Sequence, residues 1–240
     1  MKFIIISRES FFKRYYAMTY SNLYNLGGWN KTIFLFLNNF FNENTGPFLD
    51  VLKIISYCFS IYSFAIIYIC VCLFYCYDLI KEKADFNKFQ TTTNQLLQIG
   101  TCYTLFVLSF ALIKFTANMP RPYCSLDPSL FYTILDTTKE RCLSSFPSAH
   151  TGIAIIAMYY FPTNFKIQYR IFFYMLAFLA ILSRITLAMH YPADLIYTLI
   201  FTILIIKINQ ALFNQIKNLR LTITISKLIF ERFISSKYKI

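Results

Sequence analysis

A series of long, almost uncharged apolar runs constrains this chain more than any other feature. A membrane-spanning helix needs roughly 20 mostly apolar residues, and lipid offers no hydrogen-bond partners to an open backbone, so such runs must be helical. Five runs are assigned as spans, the third of them short. The sequence therefore predicts an all-α fold, a polytopic membrane helix bundle of five transmembrane helices. The predicted spans are Val51–Tyr77, Leu96–Lys114, Ser148–Phe161, Ile171–Ala188 and Ala193–Phe213.

The composition agrees with a membrane location. Only 14% of the 240 residues are charged and the mean hydropathy is +0.50, whereas a soluble domain of this length carries about 25% charged residues. The hydrophobicity excludes a disordered chain, and the length excludes a small disulfide-stapled domain. We predict one membrane domain over residues 51–213, an N-terminal interfacial segment at 1–50 and a basic cytoplasmic tail at 214–240.

The basic residues give the predicted spans an orientation. The chain has 23 Lys and Arg against 11 Asp and Glu, a formal net charge of +12, which alone would also fit a nucleic-acid-binding protein. Twelve of the cations, however, fall on one side of the spans, which the positive-inside rule makes cytoplasmic. We therefore expect contact with anionic lipids there and no nucleic-acid partner. The twelve are Lys81, Lys83, Lys88, Lys166, Arg170, Lys207, Lys217, Arg220, Lys227, Arg232, Lys237 and Lys239.

The two flanking segments allow alternatives. A sixth crossing at Thr32–Leu49 would place the basic N-terminus in the cytoplasm, but it would bury four asparagines and a glutamate in lipid, which is costly. The tail alternates basic and apolar residues, which favours an amphipathic segment on the cytoplasmic surface over a partner-docking helix. No obligate protein partner is evident. For the N-terminal segment we favour an interfacial helix with aromatic residues at headgroup level, namely Trp29, Phe34, Phe36, Phe40 and Phe41.

The seven cysteines divide into two groups. Five fall within predicted spans, where Cys is an ordinary small apolar residue. Cys124 and Cys142 instead lie in the long loop on the side opposite the basic loops. A bridge between them would close a loop of about 17 residues and contribute on the order of 3 kcal/mol in an oxidising compartment. We predict that they form a disulfide.

Polar residues gather at three places on the side opposite the basic loops. One group ends the second span, one opens the third, and one links the fourth to the fifth. The only two histidines of the chain, His150 and His190, both belong to this set. The positions of the cationic loops alone put the three groups on the same membrane face, so we expect them to form one site. Their ranges are Lys114–Pro122, Ser145–His150 and Ser183–Asp194.

Three cations at one membrane face suit a multiply charged anion. Arg121 and Arg184 offer planar forks that match phosphate oxygens, and Lys114 offers a point charge. Ser148 opens a predicted helix, whose N-terminal N–H groups also favour an anion. Taken singly, each group has a structural explanation, such as cations that reach the interface or an ordinary helix start.

The two imidazoles suit nucleophilic and acid–base chemistry. Asp194 falls about one turn after His190, so its carboxylate can accept the proton of one imidazole nitrogen and leave the other as a nucleophile. His150 can protonate a leaving oxygen. The His190–Asp194 pair alone would also fit helix capping, but three motifs on one face favour a functional site.

Together the motifs resemble the signature of the type 2 phosphatidic acid phosphatase superfamily, the PAP2 lipid phosphatases. That signature is Lys-x6-Arg-Pro, Pro-Ser-Gly-His and Ser-Arg-x5-His-x3-Asp, and the resemblance covers about residues 96–213. Ala149 departs from it, because the commonest form has Gly there; Ala is tolerated where φ is negative. Here the motifs read Lys114…Arg121-Pro122, Pro147-Ser148-Ala149-His150 and Ser183-Arg184…His190…Asp194.

The resemblance implies a role for each matching residue. In the family the third-motif His attacks phosphorus and forms a phosphohistidine, which water hydrolyses. His190 would then be the nucleophile, Asp194 would orient it, and His150 would act as general acid and base. The family uses no metal, and no cofactor is implied. The residues that would bind the phosphoryl oxygens are Lys114, Arg121, Ser148 and Arg184.

The compact motif spacing resembles bacterial envelope members of the family. Those members dephosphorylate lipid A at its 1-position, undecaprenyl diphosphate or phosphatidylglycerol phosphate, and we favour lipid A 1-phosphate. The resemblance implies a metal-independent lipid phosphatase in the bacterial inner membrane, with its site facing the periplasm. Two other functions stay open. Vanadate haloperoxidases of the superfamily use the same residues, although five apolar spans argue against them. A non-enzymatic lipid-binding or transport protein would also use a cationic pocket.

Overall fold

A computed structural model describes residues 24–44, 46–81, 86–133, 141–161 and 165–216, together with Lys227. Within these ranges the regular structure is helical, which confirms the predicted all-α class. Short helical turns at Leu26–Gly28, Pro122–Ser125 and Pro128–Leu130 supplement seven longer helices. These are α1 (Trp29–Asn44), α2 (Gly46–Cys58), α3 (Ile61–Lys81), α4 (Phe86–Ala117), α5 (Ala149–Tyr160), α6 (Ile167–Thr186) and α7 (Pro192–Ile216).

Four of the helices are long and apolar enough to cross a membrane. They are α3, α4, α6 and α7, and each contains most of one predicted span. Hydrogen bonds show that α3 and α4 run antiparallel, because Tyr68 pairs with Leu96 while Tyr103 pairs with Ile61. The described residues therefore form the polytopic helical bundle that the apolar runs predict.

The first predicted span is interrupted, so a continuous helix over Val51–Tyr77 is wrong. The chain turns at Phe59 and Ser60, between the end of α2 and the start of α3. Ser60 caps α3, since the Ser63 N–H donates to its hydroxyl oxygen at 3.1 Å, and the Ser63 hydroxyl donates to the Tyr57 carbonyl at 2.8 Å. A break within the membrane requires such internal hydrogen bonds, because lipid supplies none.

The third predicted span is too short to cross a membrane. Helix α5 has 12 residues, which is about 18 Å of helix, against a hydrocarbon thickness of about 30 Å. It lies at the centre of the bundle among α3, α4, α6 and α7. Because protein rather than lipid surrounds α5, its length need not match the bilayer.

Close packing fixes the position of α5 against α4. Gly152 of α5 faces Phe106 and Phe110 of α4, whose ring centroids lie 3.9 Å apart. A Cβ on Gly152 would come within 2.2 Å of Phe106 Cε2. The glycine therefore allows a helix-to-ring approach that no larger residue permits in this arrangement.

Helix α1 packs against α6 and α7 and is not among the four helices that are long and apolar enough to cross a membrane. The range Thr32–Leu49 is divided between α1 and α2, and none of the four candidate spans includes it. Phe34 corrects the sequence-based expectation, because it packs in the interior against Phe131 and Tyr191 rather than standing at headgroup level.

The other predicted aromatic residues of α1 face outward or are half-buried. Trp29, Phe36 and Phe40 are exposed together with Ile33, and their spacing puts them on one side of the helix. The opposite side carries Asn38, whose amide donates to the Thr186 carbonyl at 2.9 Å. The apolar side thus suits an interfacial helix, whereas the asparagines bind protein.

Several predictions concern residues outside the described ranges. These residues are Lys83, Lys139, the basic residues that precede Tyr24, and most of the predicted tail. Of the tail, only Asn214–Ile216, which end α7, and Lys227 are described. The orientation of the bundle in a membrane therefore stays a prediction from the charge distribution.

Candidate active site

The linker between α6 and α7 folds back on the end of α6. The Arg184 carbonyl accepts the N–H groups of both Met189 and His190 at 3.0 Å, and Ala188 adopts a positive φ of 57°. Such a return at a helix end satisfies carbonyls that would otherwise lack partners. It places His190 beside the start of α7.

Asp194 in the first turn of α7 has two structural functions at once. Its Oδ2 accepts the Tyr191 N–H at 2.9 Å, and the Asp194 N–H donates to the Tyr191 carbonyl at 3.0 Å. The bond to Oδ2 is the half of a capping box in which the third helical residue accepts the N–H of the residue before the helix; Asp194 thus caps α7 through Tyr191 and not through His190. The same Oδ2 lies 3.6 Å from His190 Nδ1, so the cap also brings the carboxylate to the imidazole.

The Asp194 carboxylate is fully buried and is held by several donors. The Ser145 hydroxyl donates to Oδ2 at 2.5 Å, and the Tyr24 hydroxyl donates to Oδ1 at 2.7 Å. At 3.6 Å the His190 Nδ1 is beyond hydrogen-bond distance, and it makes no hydrogen bond to the described residues. The imidazole therefore lies next to the carboxylate without a direct bond to it.

The surroundings of His190 favour a neutral imidazole. The side chain is only 2% exposed. Burial, followed by the charges of Arg184, Arg121 and Lys114, holds the pKa of His190 well below its usual range, and the Ser145 carbonyl only partly opposes this. A neutral imidazole retains the lone pair that a nucleophile needs.

The three predicted cations meet around the two histidines. The charges of Lys114, Arg121 and Arg184 all lie close enough to act on both imidazoles. Lys114 comes from the last turn of α4, and both guanidinium groups are almost fully buried. Two sequence-distant motifs thus place three positive charges around the histidines of the second and third motifs.

Hydroxyl groups hold the two guanidinium groups in place. Arg121 donates from Nε and Nη2 to the Ser144 hydroxyl at 3.3 and 3.2 Å, and Nη1 lies 3.7 Å from Met189 Sδ. Arg184 donates from Nη1 to the Ser56 hydroxyl at 2.8 Å. Ser56 belongs to α2, so the helix before the break at Ser60 also contributes to the site.

Ser148 stands immediately before α5 and is fully buried. Its N–H donates to the Thr198 hydroxyl of α7 at 2.9 Å, while its own hydroxyl oxygen accepts from Thr151 at 3.0 Å. The Ser148 hydroxyl therefore keeps its hydrogen for another acceptor. Ala149 is the first residue of α5, and its φ is not positive, so the methyl group is compatible with this helix start.

A disulfide joins Cys124 to Cys142, with Cα atoms 5.8 Å apart. The two cysteines also bind the backbone of Arg121, because the Arg121 N–H donates to the Cys142 carbonyl at 2.9 Å and the Cys124 N–H donates to the Arg121 carbonyl at 3.0 Å. The bridge therefore lies directly beside one of the three cations.

Sequence reasoning missed the residues that support the site. Ser145 belongs to the second polar group, but no role was predicted for it. Ser144 directly precedes that group, and that position was the available signal. Ser56 and Tyr24 are isolated in sequence and offered none. Within the described ranges, no group of three or more His, Cys, Asp or Glu side chains lies together in the manner of a metal site.

Comparisons with known proteins identify the family and a similar fold. The chain is similar to the crystal structure of Aquifex aeolicus LpxE, with a TM-score of 0.55 and 23% sequence identity over 76% of this chain and 95% of that chain. A search of curated proteins finds no match. The family model of the PAP2 superfamily matches residues 95–217, which is half of the chain and contains all three motifs. The chain therefore belongs to the PAP2 superfamily.

Proposed function

We propose that this protein is a membrane lipid phosphatase that removes phosphate from a bacterial envelope lipid through a phosphohistidine. The observation that carries the proposal is the surroundings of His190. This imidazole is buried, has a pKa held below its usual range by burial and by the nearby cations, and lies 3.6 Å from Asp194. Nucleophile, orienting carboxylate and charge for the phosphoryl oxygens are thus present at one point.

The first chemical step transfers the phosphoryl group to the protein. Because Nδ1 of His190 faces Asp194, Nε2 is the nitrogen that attacks phosphorus. The bond from phosphorus to the lipid oxygen breaks, and His150 gives that oxygen its proton. Burial and the charge of Arg184 lower the pKa of His150, so the negative charge of the bound phosphate is what keeps it protonated for this step. The residues that neutralise or bind the phosphoryl oxygens are Lys114, Arg121, Arg184 and the hydroxyl of Ser148.

Hydrolysis then restores the protein. Neutral His150 takes a proton from water, the resulting hydroxide oxygen attacks phosphorus, and the bond to His190 Nε2 breaks. Inorganic phosphate leaves, and His150 holds the proton that the next leaving oxygen requires. Asp194 stabilises the His190 imidazole in both steps through its charge and proximity.

The substrate we propose is lipid A 1-phosphate, with undecaprenyl diphosphate and phosphatidylglycerol phosphate as the alternatives. The motif spacing supports bacterial envelope lipids, and the fold shared with Aquifex aeolicus LpxE is compatible with them. The charge distribution supports a bacterial inner membrane, with anionic lipids at the basic loops and the site at the periplasmic face.

Phosphate release by the purified protein tests the proposal. We expect release from one member of a panel made of the three proposed lipids and phosphatidic acid. His190→Gln should lose turnover by at least about a thousandfold. EDTA should not inhibit. Wild-type turnover in His190→Gln would contradict the mechanism. Lipid binding that His190→Gln leaves intact, without phosphate release by the wild type, would instead indicate a lipid-binding protein.

The role of His150 has a separate test. In His150→Gln, turnover of a lipid phosphate should fall, because the leaving alkoxide receives no proton. An aryl phosphate has a far less basic leaving oxygen, so its phosphoryl transfer to His190 should be much less affected. Because His150 also activates the water, the comparison uses the rate of phosphoryl transfer in a single turnover. Equal losses of that rate with both substrates would contradict a proton donor at His150.

A further inference from the structure

Tyr24 contacts the centre of the site from outside the part of the chain that the family model matches. Its hydroxyl donates to Asp194 Oδ1 at 2.7 Å, although 170 residues separate the two in sequence. The matched region begins at residue 95. The motifs of the superfamily therefore say nothing about this contact.

The hydrogen bonds of Asp194 divide unevenly between its two oxygens. Oδ2 accepts from the Ser145 hydroxyl and the Tyr191 N–H, and it is also the oxygen that faces His190 at 3.6 Å. Among the described residues, Tyr24 supplies the hydrogen bond to Oδ1. Tyr24 thus opposes rotation of the carboxylate, which would exchange the oxygen that faces the imidazole.

The Tyr24 hydroxyl is placed by a set of contacts rather than by a single one. The Tyr24 ring packs edge-on against the Tyr191 ring at 6.2 Å, and Phe34 of α1 packs against the same ring at 5.4 Å. Next to them, the Asn30 side-chain oxygen accepts the Ala193 N–H at 2.9 Å. Residues 24–34 therefore pack against and hydrogen-bond to the short stretch that contains His190 and Asp194.

We propose that Tyr24 is a positioning residue for the Asp194–His190 pair. By holding Oδ1, it presents Oδ2 to Nδ1 of His190, so that Nε2 points at the phosphorus. This inference rests on the proposed phosphatase function. Because the Tyr24 hydroxyl acts on the carboxylate, we expect its loss to affect the chemical step more than substrate binding.

The steady-state test uses Tyr24→Phe, which keeps the ring and removes only the hydroxyl. We expect kcat to fall about tenfold to a hundredfold, the range for a hydrogen bond to a charged group, with KM within about twofold of wild type. The matched control is Tyr103→Phe, which removes a hydroxyl that donates to the Ile61 carbonyl at 3.0 Å, away from the site. It should leave both constants unchanged. A Tyr24→Phe variant with wild-type kcat overturns the proposal.

A double-mutant cycle separates positioning from general stabilisation. If Tyr24 acts through the carboxylate, adding Tyr24→Phe to Asp194→Asn should cost little further activity. Full additivity overturns the proposal. So does a loss of kcat in Tyr24→Phe that is explained by lower stability, seen as an unfolding midpoint below that of Tyr103→Phe.

A readout independent of turnover separates this proposal from the phosphatase proposal. The chain has two histidines, so nitrogen-15 NMR with His190→Gln as the assignment standard reports the His190 tautomer directly. We expect one tautomer in the wild type and a mixture in Tyr24→Phe. A wild type without phosphatase activity would refute the proposed function alone, whereas an unchanged tautomer would refute the role of Tyr24.

Discussion

Replacing Gly152 with alanine should destabilise the bundle, although alanine is the better helix former. The added Cβ would lie 2.2 Å from Phe106 Cε2 and 2.6 Å from Phe106 Cζ, where carbon atoms in contact normally stay about 3.5–4.0 Å apart. Phe106 is fully buried, and its ring lies against that of Phe110. The ring therefore has no open space to enter, and α4 and α5 must separate.

The expected magnitude combines two opposing effects. Overpacking a well-packed core costs about 1–3 kcal/mol, and the contact distances place Gly152 at the upper end of that range. Replacing glycine by alanine within a helix gains about 1 kcal/mol. The net expectation is a loss of about 2 kcal/mol of unfolding free energy.

Equilibrium unfolding in mixed detergent micelles, titrated with a denaturing detergent, measures this loss. Gly46→Ala is the matched control, because a Cβ at Gly46 meets nothing within 4 Å; it should stay within about 1 kcal/mol of wild type. Adding Phe106→Leu to Gly152→Ala should recover part of the stability by removing the ring edge. A Gly152→Ala variant as stable as Gly46→Ala would refute the packing argument.

Three further predictions concern the site and its supports. Replacing Cys124 and Cys142 by serine should lower the unfolding free energy by about 3 kcal/mol. It should also reduce turnover, because the backbone groups of both cysteines bind Arg121. Equal stability and turnover with and without the disulfide would contradict this. The pKa of His190 is lowered, so its nitrogen-15 signals should remain those of a neutral imidazole at about pH 5.5, where an ordinary histidine is mostly protonated. Because the pKa of His190 is lower in the folded than in the unfolded chain, the unfolded chain binds a proton that the folded chain does not, so stability falls as the pH drops below about 6.5. A His190 that titrates normally would be inconsistent with its burial. Asn38→Leu should cost at least about 2 kcal/mol, because its buried amide binds two carbonyls and a backbone N–H, and a smaller loss in the same titration would count against those bonds.

The sequence predicts the helices near the motifs better than those before them. The predicted spans at Ile171–Ala188 and Ala193–Phe213 end within a few residues of α6 and α7, because charged residues and Pro192 mark their limits. The run at Val51–Tyr77 contains no such mark near its break at Phe59 and Ser60. A hydropathy average does not detect that Ser60 and Ser63 satisfy a turn, since both hydroxyls are small and they bind the Ser63 N–H and the Tyr57 carbonyl of the backbone.

The same contrast holds within the site. Local spacing predicted the His190–Asp194 pair, and the charge distribution predicted that Lys114 and the two arginines share a face. The hydroxyls of Ser56 and Tyr24 bind groups more than a hundred residues away. Only the folded chain makes these residues neighbours, so no pattern in one sequence indicates them.

In the proposed orientation and function, the disulfide beside Arg121 links correct membrane insertion to activity. A chain inserted upside down would expose Cys124 and Cys142 to a reducing cytosol, where they would remain thiols. The two cysteines that hydrogen-bond to the backbone of Arg121 would then not be joined to each other by a covalent bond. The bridge thus acts as a chemical check on orientation, because only molecules whose site faces an oxidising compartment acquire the finished structure.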